Sequence, residues 1–187
     1  AGTELAITVL VPAGADAHTY EPSPADLSAL READLIIEHG MGFEGWLDRV
    51  YTASGSHGQR IVATAGITPL AADPHDEHEP HTSSAAGDAA EVDPHVWHDV
   101  QNAIQMASNV RDALVSADPE RADRYRANAE EYIVELQALD QYVVDQTQQI
   151  PQERRKLVTA HDTFRYFGAR YGFEIVGTAF GAVSTEA

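Results

Sequence analysis

The chain has 187 residues, 43% of them hydrophobic and 22% charged, a globular composition long enough to bury one core or two small ones. Twelve Lys and Arg against thirty Asp and Glu give a net charge of −18, which excludes nucleic acid and anionic membrane as partners and suits cations. The absence of cysteine excludes disulfides, thiolate metal sites and Cys nucleophiles, and no run of about 18 apolar residues is present to span a bilayer.

In chain order, the β-branched run Glu4–Val11 predicts a first strand, stopped by Pro12 and Gly14. Ser23-Pro24 opens a helix, with Ser23 as N-cap, Pro24 in the first turn, and Leu27, Leu30 and Ala33 at helical spacing. Asp34–Ile37 predicts a second strand, a short helix carries Trp46, Leu47 and Val50, and Arg60–Ala63 predicts a third strand. Residues 71–91 break the alternation, with no apolar period and a His-rich loop placed at 73–91. A helix follows over 100–115, with Ile104, Ala107, Val110 and Leu114 on one face.

Residues 119–149 form the longest periodic element, with Tyr125, Ala129, Tyr132, Leu136, Leu139 and Val143 on one stripe. As a helix it would span roughly 46 Å, longer than one small domain is wide. Beyond Pro151, strands at Lys156–Ala160 and Glu174–Thr178 flank a helix from Thr163 to Tyr171. The class is therefore α/β, two lobes with parallel sheets joined by a long rigid helix. The division reads as 1–117 for the first lobe, 118–150 for the linking helix and 151–187 for the start of a second.

Nine histidines in so acidic a chain have the composition of a metal-handling surface. His18, His95 and His161 lie just past predicted strands or at loop-to-helix junctions, where ligands bind in open α/β sheets. Three imidazoles from separate segments also make a common zinc shell. Each alone reads equally well as a surface loop histidine, and spacing does not demonstrate that they converge. His39 and His57 have no metal-like context.

Around these residues the chain resembles the metal-binding receptors of ABC transporters, the ZnuA-like or TroA-like solute-binding proteins. The motifs that carry the resemblance are Leu10-Val11-Pro12 with His18-Thr19-Tyr20-Glu21-Pro22-Ser23-Pro24, then Ala33–Ile37 with Gly42-Phe43-Glu44-Gly45-Trp46-Leu47. They continue with Asp93-Pro94-His95-Val96-Trp97, Thr159–Phe167 leading to Tyr171-Gly172, and Val183-Ser184-Thr185-Glu186-Ala187. The resemblance implies two α/β lobes with one metal ion between them, ligated by His18, His95 and His161. Its fourth ligand is usually a carboxylate in the second half of the C-terminal lobe, a region largely missing here, so the chain reads as a fragment of a longer receptor. Ala17, where proline is frequent, and His98, where leucine is usual, depart from the pattern.

The resemblance implies that His75, His78 and His81 belong to a loop that collects zinc weakly. Asp93 and Asp162 are expected either to orient a ligating imidazole or to serve as plain caps. Trp97 and Phe164 are expected to pack rather than to touch metal. Imidazole donors favour Zn²⁺, with Mn²⁺ as the alternative cargo.

The implied protein is not an enzyme but a receptor on the periplasmic or extracellular face of a bacterial membrane. It delivers its ion to an ABC permease and touches the membrane only through a lipid anchor not present in this chain. The rival from another class is a zinc hydrolase with an open coordination position, but no His-Glu-x-x-His motif or nucleophile elbow supports it.

Overall fold

The computed structural model describes residues 5–71 and 92–179. His75, His78 and His81, the loop at 73–91 and the motif Val183–Ala187 lie outside the described residues. By internal contacts the chain divides into two compact units. Unit 1 comprises Ala1–Ala65 with Gln105–Val134, and unit 2 comprises Gly66–Ile104 with Glu135–Ala187. Among the described residues no helix is long and apolar enough to cross a membrane.

In unit 1, helix α1 (Pro24–Glu32) starts where Ser23-Pro24 dictates. Asp26 N–H donates to Ser23 Oγ at 3.4 Å while Ser23 N–H donates back to Asp26 Oδ2 at 2.7 Å, a reciprocal capping box. Strand β1 (Leu35–Glu38) pairs in parallel with β2 (Gln59–Val62), Leu35 opposite Gln59 and Glu38 opposite Val62, with helix α2 (Leu47–Ser54) between them in the chain. Leu30, Ile36, Trp46, Leu47 and Val50 form the core, with Leu10, Val11, Tyr20 and Tyr51 packed at its edge. Burial of such side chains contributes about 1.5–3 kcal/mol each. Gly58 lets β2 approach the Ala33 carbonyl, where a Cβ would collide.

The strand expected at Glu4–Val11 does not form over its described part, residues 5–11. Ile7 is 70% and Val9 73% exposed, and among the described residues no strand pairs with them. A β-branched run becomes a strand only when a ladder satisfies its backbone.

Helix α3 (Val100–Ala117) and helix α4 (Ala122–Gln148) come next, a 3-10 turn at Pro119–Arg121 between them. In unit 1, Asn109 Nδ2 donates to the Ala63 and Ala65 carbonyls at 2.7 and 2.9 Å, fastening α3 to the end of β2. The 27 residues of α4 span about 40 Å, somewhat less than expected. Its inward seam also differs. Tyr125, Leu136 and Thr147 are buried as a 3.6-residue period requires, but Tyr132 and Leu139 are 53% and 47% exposed, and the half-buried Ile133 and Asp140 take the inward positions.

Unit 2 holds the second parallel pair, β3 (Lys156–Thr159) with β4 (Glu174–Thr178), joined through α5 (Arg165–Tyr171). Gly168 lets α5 meet the Phe173 carbonyl, which a Cβ would strike. Asp140 fastens this unit: it accepts from Gln101 Nε2 at 2.9 Å, Arg170 Nη2 at 2.6 Å and Tyr171 Oη at 2.8 Å. The architecture is thus α/β with parallel strand pairs, as the alternation of elements implies.

Candidate metal centre

Asp93-Pro94-His95 is a buried turn leading into a 3-10 turn at Val96–His98. His95 is only 4% exposed. Asp93 Oδ1 accepts from the His95 backbone N–H at 2.9 Å and lies 2.8 Å from His95 Nδ1. An ionised carboxylate can only accept, so Nδ1 carries the proton of this contact, and in the neutral imidazole that leaves Nε2 with the lone pair a metal ligand needs. Arg165 Nη1 stands 4.0 Å from Asp93 Oδ2, an opposite charge beside a carboxylate oxygen that has no hydrogen-bond partner among the described residues.

His161 follows β3 and precedes α5, half-buried. Its ring centroid lies 5.1 Å from that of His95, with the planes at 85°. Zn–N bonds of about 2.0–2.1 Å at a tetrahedral angle, with a ring radius of about 1.1 Å added, put two ligating centroids about 5.2 Å apart. An edge-on aromatic contact spans a similar range, so the spacing accommodates a shared ion without requiring one. Trp97 packs edge-on to His95 at 5.4 Å, and Phe164 stacks on His98 at 4.4 Å. Burial, with His95 nearby, holds the His98 imidazole below its ordinary pKa against the opposing pull of Asp93.

His18 belongs to unit 1 and is half-buried. Its backbone N–H donates to Asp16 Oδ1 at 2.9 Å, and Trp46 Nε1 donates to the adjoining Ala17 carbonyl at 2.8 Å. The His18 ring meets Phe43 edge-on at 4.6 Å, and His39 packs on the same Phe43 at 4.8 Å. Phe43 sits at the end of an unusual turn in which Gly40, Met41 and Gly42 all have positive φ, at 94°, 56° and 77°. Glu44 holds that turn by accepting from the His39 and Gly40 N–H groups at 2.8 and 3.2 Å. Met41 is a non-glycine residue in the left-handed region, a conformation that costs of order 1–3 kcal/mol. His57, by contrast, is exposed.

The structure therefore brings His95, Asp93 and His161 together in unit 2 and sets His18 on Phe43 in unit 1. Among the described residues no group of three or more His, Asp or Glu side chains is placed to hold one ion. Asp162 is half-buried beside His161, its role unassigned. Tyr166, 4% exposed on α5, is a supporting residue to which the sequence alone assigns no role. Its hydroxyl accepts from Leu70 N–H at 2.8 Å and donates to the Asp93 carbonyl at 2.7 Å. Burial raises its pKa, keeping it a neutral donor.

A family model described as zinc-uptake complex component A, periplasmic (ZnuA), matches residues 1–187. The manganese-binding lipoprotein MntA of Halalkalibacterium halodurans is 36% identical over 177 residues, which are 95% of this chain and 54% of that protein. The zinc-binding protein TroA of Treponema pallidum is 33% identical over 174 residues, 93% of this chain and 53% of that one. A crystal structure of ZnuA matches with a TM-score of 0.79 at 30% identity, covering 94% of this chain and 62% of its own. The chain spans about half the length of the curated relatives it matches.

Proposed function

This chain belongs to the ZnuA family of zinc-uptake components, and from that premise we propose that it acts in an extracytoplasmic receptor that captures zinc and passes it to an ABC permease. His18, His95 and His161 are the proposed ligands. Asp93 orients His95, and His75, His78 and His81 form a weaker collecting set. The single observation that carries the reading is the buried His95, its Nδ1 2.8 Å from Asp93 Oδ1 and its ring centroid 5.1 Å from that of His161. A receptor whose ligand rings are oriented in advance spends little of its binding energy on ordering them. Members of the family are solute-binding proteins rather than enzymes, which sets the hydrolase alternative aside.

Zinc is preferred because imidazole nitrogens suit it better than they suit the harder manganese ion. Manganese is the second reading, supported by the 36% identity to the manganese-binding MntA. Competition titration of the purified protein against a chromophoric chelator, with zinc and manganese in separate arms, tests both. Zinc is expected to bind one-to-one and more tightly than manganese. About 10–16 kcal/mol of zinc affinity spread over the four coordination positions of zinc is roughly 3 kcal/mol each, so His18→Ala, His95→Ala and His161→Ala should each weaken binding about a hundredfold. Unchanged affinity in all three variants would refute the ligand set, and metal-dependent ester hydrolysis would refute the receptor.

A further inference from the structure

Several contacts tie the segment holding His95 to the segment holding His161 within unit 2, and two of them come from the start of α5 and the residue before it. One is the stacking of Phe164 on His98 at 4.4 Å. The other is the Tyr166 hydroxyl, which uses both its hydrogen-bonding capacities on backbone remote in sequence. It accepts from Leu70 N–H, 96 residues away, and donates to the carbonyl of Asp93, 73 residues away. The same Asp93 bonds through its side chain to the backbone N–H and Nδ1 of His95. Residue 166 is also the second residue of α5, the helix that begins four residues after His161.

One hydroxyl thus connects the helix that follows one imidazole to the residue that orients the other. The neighbouring Arg165 grips the same strip of backbone, with Nη1 donating to the Ala71 carbonyl at 2.6 Å and lying 4.0 Å from Asp93 Oδ2. The pair is completed by backbone pairing of Asp93 N–H with the Leu70 carbonyl at 3.0 Å. Leu70 and Asp93 are therefore joined twice, once directly and once through Tyr166. The only rotatable link from this strip to α5 that Tyr166 offers is its own buried side chain, held at 4% exposure.

We infer that Tyr166 is a positioning residue for the metal pair: its hydroxyl clamps Asp93, fixes the His95 ring against His161, and so sets the spacing at which the two imidazoles meet. The inference rests on the reading of His95 and His161 as ligands. Tyr166 itself touches no metal. Removing the hydroxyl leaves the ring packed but frees the Asp93 carbonyl, so the carboxylate that holds Nδ1–H can shift. A supporting partner one step removed from a ligand typically changes affinity 10- to 100-fold, and for a residue acting through Asp93 about tenfold is expected.

The test compares Tyr166→Phe with Tyr171→Phe, which removes the hydroxyl of a second buried tyrosine on the same helix, one that donates to Asp140 instead. Both variants are titrated with zinc, and the tautomer of His95 is read in metal-free protein by long-range ¹⁵N–¹H NMR. Tyr166→Phe should weaken zinc binding about tenfold and broaden or shift the Nδ1–H signal of His95, whereas Tyr171→Phe should lower thermal stability without moving either. Equal effects of the two variants on affinity, or an unmoved His95 signal in Tyr166→Phe, would overturn the inference. Normal zinc binding in His95→Ala would instead overturn the ligand reading, so the two failures are distinguishable.

Discussion

His95 and His18 are held by different physics. His95 is buried, and a single carboxylate meets both its backbone N–H and its ring Nδ1, so two polar contacts at 2.9 and 2.8 Å orient the ring. His18 has its backbone fastened by Asp16 and, through Ala17, by Trp46, and its half-buried ring rests edge-on against Phe43. Hydrogen bonds fix direction within some tens of degrees, whereas an edge-on aromatic contact tolerates a broad range of angles. One unit therefore presents an imidazole whose Nδ1 faces a buried carboxylate, and the other presents one packed edge-on against an aromatic ring.

The largest effect that can break this contrast comes from Asp93. Asp93→Ala removes the acceptor of Nδ1–H and of the His95 N–H together, and zinc affinity should fall about 10- to 100-fold with the fold intact by far-ultraviolet circular dichroism. If Asp93→Ala binds zinc as the unaltered protein does, His95 is not prepared by its neighbour and the contrast collapses. A smaller effect is expected from Phe43. Phe43→Ala deletes an aromatic contact worth about 0.5–1.5 kcal/mol, so affinity should fall only about two- to tenfold in the same titration. A larger loss than that of Asp93→Ala would mean that the aromatic seat, not the carboxylate, governs capture.

Local rules account for much of this. The capping box at Ser23 and the parallel strands Leu35–Glu38 and Glu174–Thr178 follow from caps, β-branched runs and glycine stops read in order. Asp93 and His95 are two residues apart, so a contact between them was within reach of the sequence, which left it level with a plain cap until the structure put Oδ1 2.8 Å from Nδ1. What stayed hidden depends on partners distant in the chain. Residues 5–11 have the composition of a strand, but composition cannot say that no described strand pairs with them. On α4 a hydrophobic period chose Tyr132 and Leu139, while the inward place went to Asp140, whose burial is offset by an arginine, a tyrosine and a glutamine from other helices. Tyr166 was hidden for the same reason, since both its hydrogen bonds reach across more than seventy residues.

Asp140 supplies the smallest prediction and a control within unit 2 itself. Partial burial pushes its carboxyl up, but hydrogen bonds from Arg170, Tyr171 and Gln101 outweigh this and hold it below its ordinary value. Burial and the same carboxylate push the Tyr171 hydroxyl up to about 12, so it stays a donor throughout the neutral range. A carboxyl whose pKa is lower in the folded than in the unfolded chain adds stability that is fully present above the unfolded value of about 3.9 and disappears as pH falls through the folded one. Asp140→Asn keeps the shape but turns an amide toward donors, losing charge-assisted bonds worth about 1.5–3 kcal/mol, which for a chain of this size lowers Tm by about 5 °C. The gap in Tm between Asp140→Asn and the unaltered protein should be widest near pH 7 and close as pH falls through the lowered value of the folded carboxyl, as acid removes the same charge from the unaltered protein. A gap that persists in strong acid would assign the loss to packing rather than to the ionised carboxylate. Because none of the cited partners of Asp140 touches Asp93 or His95, zinc affinity at neutral pH should stay unchanged, which separates what holds unit 2 together from what prepares its imidazole.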